Sequence, residues 1–265
     1  MKFFISADIE GTTGIVHWDE TNLEKSFSRY FCEQMTREVK AACEGAIEAG
    51  AQEILLKDAH DSARNIDPSQ LPEIVKIMRG WARNPLIMMA GLDSSFDGVI
   101  FTGYHSPAGS NANPLAHTMN RENVYVKING QRVSEFTINA YIAAYLNVPV
   151  LFLSGDKELC ESVKALNENI KTVATCEGIG DASISIHPAL AVEQIKKGVA
   201  EAAKDDLSKY RVELPANFEV EICYKHHVRA YKAGFYPGAE QIEADKVIFK
   251  SKDYMDVLKF LFFVL

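Results

Sequence analysis

Residues 1–14 read "MKFFISADIEGTTG": a mostly apolar run from Phe3 to Ala7, two carboxylates at Asp8 and Glu10, then Gly11 and Gly14. The apolar run is the pattern of a buried strand. In a strand, residues i and i+2 point to the same face, so the two acids at its end aim at one spot. Like charges so placed repel unless a cation lies between them. A divalent metal meets that need, and the glycines give the loop the freedom to bend back beside it.

Further along the chain, strand-like runs alternate with helical periodicity. The segment "LEKSFSRYFCEQMTREVKAACEGAIEAGA" has apolar positions recurring at three and four residues and ends near Gly50. "EILLKDAH" reads as a second strand, "FDGVIFTGYH" as a third and "VPVLFLSGD" as a fourth, the last preceded by the helix "EFTINAYIAAYLN". Strands separated by helices imply crossover connections and a mainly parallel α/β sheet flanked by helices. Beyond Asp156 the pattern loosens into two helices, the strand-like "KTVATCE", "FEVEICY" and "KVIFKS", and a closing apolar helix. The expectation is a catalytic α/β metal-binding domain over 1–160 and a smaller α+β domain over 161–265, the two allowed to interweave.

Composition narrows the function. With 265 residues, 47% hydrophobic and 24% charged, the chain has the balance of an ordinary globular protein able to bury a sizeable core. A net charge of −8 without any basic stripe argues against nucleic acid or an anionic membrane as partner. Five scattered cysteines with no CxxC pair indicate neither a disulfide framework nor a thiolate zinc site, which fits a reduced cytoplasmic setting. Asp8 and Glu10 interrupt the opening apolar stretch before a signal sequence could form. The terminal "LKFLFFVL" is far short of the ~20 residues of a membrane helix and reads as a core-facing or intersubunit surface.

Ligands bind outside the carboxyl ends of parallel strands. Collected there are Asp8 and Glu10, Asp58 and His60, His105, and Asp156, with Glu135 opening the helix after "NGQRVS". Two carboxylates, two imidazoles and a further Glu suit a pair of zinc-type ions. Asp8 is placed as the bridge, with Glu10 and His105 about one ion and His60 and Glu135 about the other. Such a pair can share a water, lower its pKa and polarise a carbonyl. His117, in "NPLAHTMN", is the candidate general acid/base because imidazole titrates near working pH. Each residue has a plainer reading: a solvated turn for the acids, a hydrogen-bonded structural histidine, a helix N-terminal charge for Glu135. His17, His187, His226 and His227 are left in the structural class, and Asn113 and Asn139 carry little weight as substrate ligands. No dinucleotide fingerprint, phosphate-binding loop or GxSxG elbow occurs.

"SADIEGTTG", "KDAHDSARNI", "GLDSSFDGVIFTGYHS", "AHTMN", "NAYIAAYLNVPVLFLSGD" and "YPGAEQIEADKVIFKSKD", in that order, resemble the DppA-type D-aminopeptidases, the M55 family of zinc peptidases. The resemblance implies Asp8, Glu10, His60, His105 and Glu135 as ligands of two Zn2+ per subunit, with Asp8 shared, and His117 as the catalytic histidine. It implies a two-domain α/β subunit in a ring-shaped homodecamer of two stacked pentamers whose sites face an inner chamber. The implied reaction releases N-terminal residues, D-amino acids in particular, from short peptides. Two departures bear on the substrate pocket: "AHTM" replaces the family's "SHSM" one residue further from His105, and Asp181 stands where a basic residue is expected. Two rivals remain: a dinuclear-metal amidohydrolase acting on other amides or cell-wall fragments, and a metal-containing peptide-binding or transport accessory protein.

Overall fold

A computed structural model describes residues 1–265. Twelve strands and six α-helices alternate along the chain. The first half supplies β1 (Lys2–Ala7), α1 (Ser28–Glu48), β2 (Glu53–Asp58), β3 (Val75–Met78), β4 (Gly98–Tyr104), β5 (Asn123–Ile128), β6 (Gln131–Arg132) and α2 (Glu135–Tyr145). Next come β7 (Val150–Asp156), α3 (Lys157–Leu166), β8 (Lys171–Ile179), β9 (Ala182–Ser185) and α4 (Pro188–Lys204). The chain closes with β10 (Phe218–Tyr224), α5 (His227–Ala233), β11 (Ala239–Glu243), β12 (Lys246–Ser251) and α6 (Tyr254–Val264).

Seven strands form one sheet in the order β3-β2-β1-β4-β7-β8-β9. All its pairings are parallel except β8 with β9. The central strands β4 and β7 are buried along their whole length, which is why they read as continuous apolar runs rather than alternating ones. Strand order reverses direction between β1 and β4, leaving at their carboxyl ends the crevice in which open α/β sheets bind ligands. The connections on either side of β3 contain short 3-10 turns at Pro68–Gln70 and Ile87–Met89 in place of helices.

A second, antiparallel sheet has the order β11-β12-β10-β5-β6. Its β5–β6 hairpin turns at Asn129 and Gly130, both in the left-handed region at φ 52° and 79°, the geometry for which Asn-Gly is favoured in two-residue hairpins. The chain therefore leaves the parallel sheet after β4, adds two strands to the other sheet, and returns at α2. Residues on both sides of position 160 contribute to each sheet, and one apolar cluster of 64 buried residues includes strands of both. The closing apolar segment forms α6, whose Tyr254, Val257, Leu258, Phe260 and Leu261 are buried. No helix is long and apolar enough to cross a membrane.

Candidate metal centre

The six residues singled out in the sequence meet at the reversal of strand order. Asp8 and Glu10 follow β1, His60 follows β2, His105 follows β4, His117 lies on the loop toward β5, and Glu135 begins α2. Five of the six are buried, none of them more than 8% exposed, and His117 is partly buried with its side chain 14% exposed. Ser134 caps α2 by accepting from the Thr137 N–H, while the Glu135 carboxylate turns into the cluster. There its Oε1 lies 3.7 Å from His105 Nε2 and 3.4 Å from His117 Nε2.

Each imidazole is oriented by a main-chain carbonyl. His60 Nε2 is 3.0 Å from the Thr21 carbonyl, His105 Nδ1 is 2.9 Å from that of Ser106, and His117 Nδ1 is 3.0 Å from that of Leu115. A carbonyl oxygen only accepts, so each of these nitrogens carries the proton. The other nitrogen of the neutral ring is then a lone pair, and all three lone pairs face carboxylates. His60 Nδ1 lies 3.3 Å from Asp8 Oδ1 and 3.2 Å from Glu10 Oε2, and His105 Nε2 lies 3.5 Å from Asp8 Oδ2. Acceptors facing acceptors in a buried space call for a cation. Asp8 Oδ2, Glu10 Oε2 and His105 Nε2 are indeed buried without a hydrogen-bond partner. This is the donor set and outer support of a metal-binding histidine site, and the residues present fit the divalent ions inferred from the sequence.

The candidate ligand atoms fall into sets lying within 4.8 Å of one another: Asp8, Glu10 and His60; Asp8, His105 and Glu135; and Glu10, His105 and His117. Asp8 is common to the first two, as the bridging role requires. The partition differs from the expected one in a single respect. His60 shares a set with Glu10 rather than with Glu135, because β2 lies on the far side of β1 from β4 and Glu135 approaches from the β4 side.

When no ion is bound, a second proton on His60 and His105 takes the place of the cation, and the charges then perturb one another in the senses that geometry demands. Burial alone would raise the Asp8 carboxyl, but the adjacent His105 and His60 rings outweigh it and hold Asp8 below the ordinary carboxylate range. Burial would depress both imidazoles, yet the Glu10 charge raises His60 well above its ordinary value, with Asp8 assisting. For His105 the Glu135 charge does the same, again with Asp8.

Two strand-end acids brace the centre without entering it. Asp58 accepts from the N–H groups of Asn65 (2.6 Å) and Ile66 (2.9 Å), and Asn65 Nδ2 in turn donates to the His60 carbonyl at 2.8 Å. Asp156 accepts from the Ser106 hydroxyl at 2.6 Å and the Leu159 N–H at 2.9 Å, pinning the residue after His105 while capping α3. Asn113 links Asp156 and the Glu10 carbonyl, at 3.3 Å to each, and Asn139 donates to the Tyr104 hydroxyl at 3.1 Å. Neither asparagine lines the pocket. His17 and His187 cap helices through Nδ1, and His226 and His227 are exposed at the start of α5.

The centre opens into a pocket of about 540 Å³ walled by Trp18, Asn22, Trp81, Met88 and Arg121 among others. Sequence reading missed these wall residues. The rings of His105 and His117 stack at 4.3 Å with 8° between their planes, and Trp18 meets His117 edge-on at 5.3 Å. The indole thus fixes the imidazole from the open side. Trp81 lies under the buried Lys57, whose Nζ is 4.3 Å from its ring.

A parallel α/β sheet with buried acids and imidazoles converging beside an open pocket at its strand-order reversal defines a metal-dependent hydrolase. The chain belongs to the peptidase M55 family of D-aminopeptidases, whose family model matches residues 1–263. It is 28% identical over 260 residues to the D-aminopeptidase of Bacillus subtilis (strain 168), an alignment covering 97% of this chain and 93% of that protein. It is also similar to a solved structure described as the Zn-dependent D-aminopeptidase DppA from Bacillus subtilis, a self-compartmentalizing protease. The TM-score is 0.91 at 27% identity, over 100% of this chain and 96% of the other. The α/β architecture inferred from the sequence is the fold of that structure.

Proposed function

We propose that this chain is a zinc-dependent aminopeptidase that releases N-terminal residues, D-residues in particular, from short peptides, with two zinc ions per subunit. The observation that carries the reading is the convergence of three imidazole lone pairs on three carboxylates, with orphaned acceptor atoms between them. Asp8, Glu10 and His60 would hold one ion, and Asp8, His105 and Glu135 the other. Bound there, the ions supply positive charge that polarises the scissile carbonyl and eases deprotonation of water.

The chain's own groups do the rest. With its Nδ1 proton committed to the Leu115 carbonyl, His117 presents Nε2 as the basic atom beside Glu135. It accepts a proton from the attacking water and returns it to the departing amine. Stacking on His105 and the edge contact of Trp18 keep Nε2 directed at the reacting bond. The Met119 N–H donates to Glu135 Oε1 at 2.6 Å and fixes that carboxylate. Asp19 and Asp61, in the pocket wall, suit the cationic α-amino group of a peptide.

Relatives support the finer points of this reading: the zinc and D-aminopeptidase descriptions belong to them. The same holds for assembly. We read the chain as a subunit of a homodecamer, which the self-compartmentalizing description of the similar structure supports. Five cysteines, all free and buried, support a cytoplasmic setting. The deciding experiment combines metal analysis of the purified protein with amine release from D-Ala-D-Ala and L-Ala-L-Ala. Two zinc ions per chain with turnover selective for the D-peptide is the expected outcome. Turnover of neither peptide, or equal turnover after complete metal removal, contradicts the reading. Light scattering checks the assembly, since ten copies of a 29.5 kDa chain are easily told from one.

A further inference from the structure

The pocket has one permanent cation. Of the residues that wall it, six are acids (Asp8, Glu10, Asp19, Asp61, Glu122 and Glu135), and only Arg121 carries a charge that never titrates away. Arg121 is exposed, and its guanidinium lies over Trp18, with Cζ 4.2 Å from the ring centroid. No protein carboxylate or carbonyl engages it. The neighbouring Glu122 pairs instead with Arg229, at 3.5 Å. A guanidinium held against an indole still has N–H groups to offer, while the contact restricts its freedom. Those groups are a ready fork for a planar, bidentate carboxylate.

We propose that Arg121 binds the free C-terminal carboxylate of the substrate, so that the enzyme selects unblocked peptides only two or three residues long. The inference rests on the aminopeptidase reading of the same pocket and adds the far end of the substrate to it. Trp18 touches both partners, with the His117 ring at 5.3 Å and the guanidinium at 4.2 Å from its ring, so the two lie within about 10 Å of each other. Arg121 therefore stands one indole away from the group that handles the proton. An extended chain advances about 3.5 Å per residue, so a carboxylate one or two residues beyond the scissile bond spans that gap. A longer peptide would place an uncharged amide against the guanidinium and leave its own terminus outside. The acids take the α-ammonium and Arg121 the carboxylate, so the wall is charged in the sense of a short zwitterionic peptide.

The test compares D-Ala-D-Ala with its C-terminal amide, using the zinc-loaded protein, its Arg121→Gln variant and its Arg121→Lys variant. Wild type should favour the acid by at least roughly tenfold in kcat/KM, mainly through KM, as expected of one charged hydrogen-bonded pair. Arg121→Gln should bring the acid-to-amide ratio to about one, and Arg121→Lys should leave it intermediate because charge remains but the fork is lost. A wild-type ratio near one, or a ratio that Arg121→Gln leaves intact, overturns the proposal. If wild type cleaves neither peptide, the aminopeptidase reading fails by itself, and calorimetric titration with both peptides then decides this one. Tighter binding of the acid that disappears in Arg121→Gln supports it, and equal affinities refute it.

Discussion

His117 is the most exposed of the three imidazoles of the centre and lines the pocket, where a substrate can reach its Nε2. Replacing it by Ala should lower kcat by about 10²–10⁴-fold, the usual worth of a general acid/base, with zinc content unchanged by metal analysis. Loss of zinc together with activity would show that His117 is a ligand instead. Asp8 has two oxygens that face different imidazoles, Oδ1 toward His60 and Oδ2 toward His105. Asp8→Ala should therefore lose at least one ion per subunit, and retention of both ions rules out the shared role. These residues were not equally legible in the sequence. Asp8 and Glu10 alone read equally as a solvated turn; they stand out because His60 and His105 also follow strands, so that metal-ligand types recur at successive strand ends. His117 was accessible mainly through resemblance, since nothing local separates it from a surface histidine. Which nitrogen of each ring is free was not legible at all, because the orienting carbonyls of Thr21, Ser106 and Leu115 come from loop geometry.

Among elements, the parallel strands β1, β2, β4 and β7 were legible as apolar runs, whereas β3 and the β5–β6 hairpin were not, although Asn129-Gly130 carries the hairpin's signal. The reason is physical. β5 is only partly buried, so its six residues do not stand out from the polar loop around them, and β3, at four residues, is shorter still. The loops that present the ligands depend on close backbone contact. Gly11 donates to the Gly103 carbonyl at 2.8 Å, and a Cβ on Gly11 would run into the Tyr104 carbonyl. Gly103, at φ 70°, would bring a Cβ against the Asp8 carbonyl. Gly103→Ala is therefore expected to cost roughly 1–3 kcal/mol of stability by denaturant unfolding, from overpacking and a left-handed backbone together. Zinc affinity should fall with it, as Asp8 is pushed from its place. A variant as stable as wild type and fully loaded with zinc would show that the two strand ends need not meet so closely.

For the whole molecule, both sheets share one apolar core, and the buried charge within it makes stability depend on pH. Burial pushes Lys57 down to about 8, partly offset by Asp58, against an ordinary value of 10.5. Between those limits the unfolded chain keeps the proton that the folded chain has released, so this group makes stability rise with pH across that window. Unfolding free energies of wild type and Lys57→Met, measured from pH 7 to pH 10, should therefore diverge above pH 8, wild type gaining. Parallel curves would mean that Lys57 stays charged, held by the Gly80 carbonyl at 2.8 Å and by Trp81. The same global view separates what must be kept from what can vary. His60 and His105, the two imidazoles among the ligands, are held by the main-chain oxygens of Thr21 and Ser106, and neither depends on the side chains of Trp18, Asn22, Trp81 or Arg121. A combinatorial library randomised at Asn22, Trp81 and Arg121, with Trp18 kept to hold His117, should thus retain its zinc throughout while sampling new peptide preferences, which makes this scaffold a starting point for directed evolution.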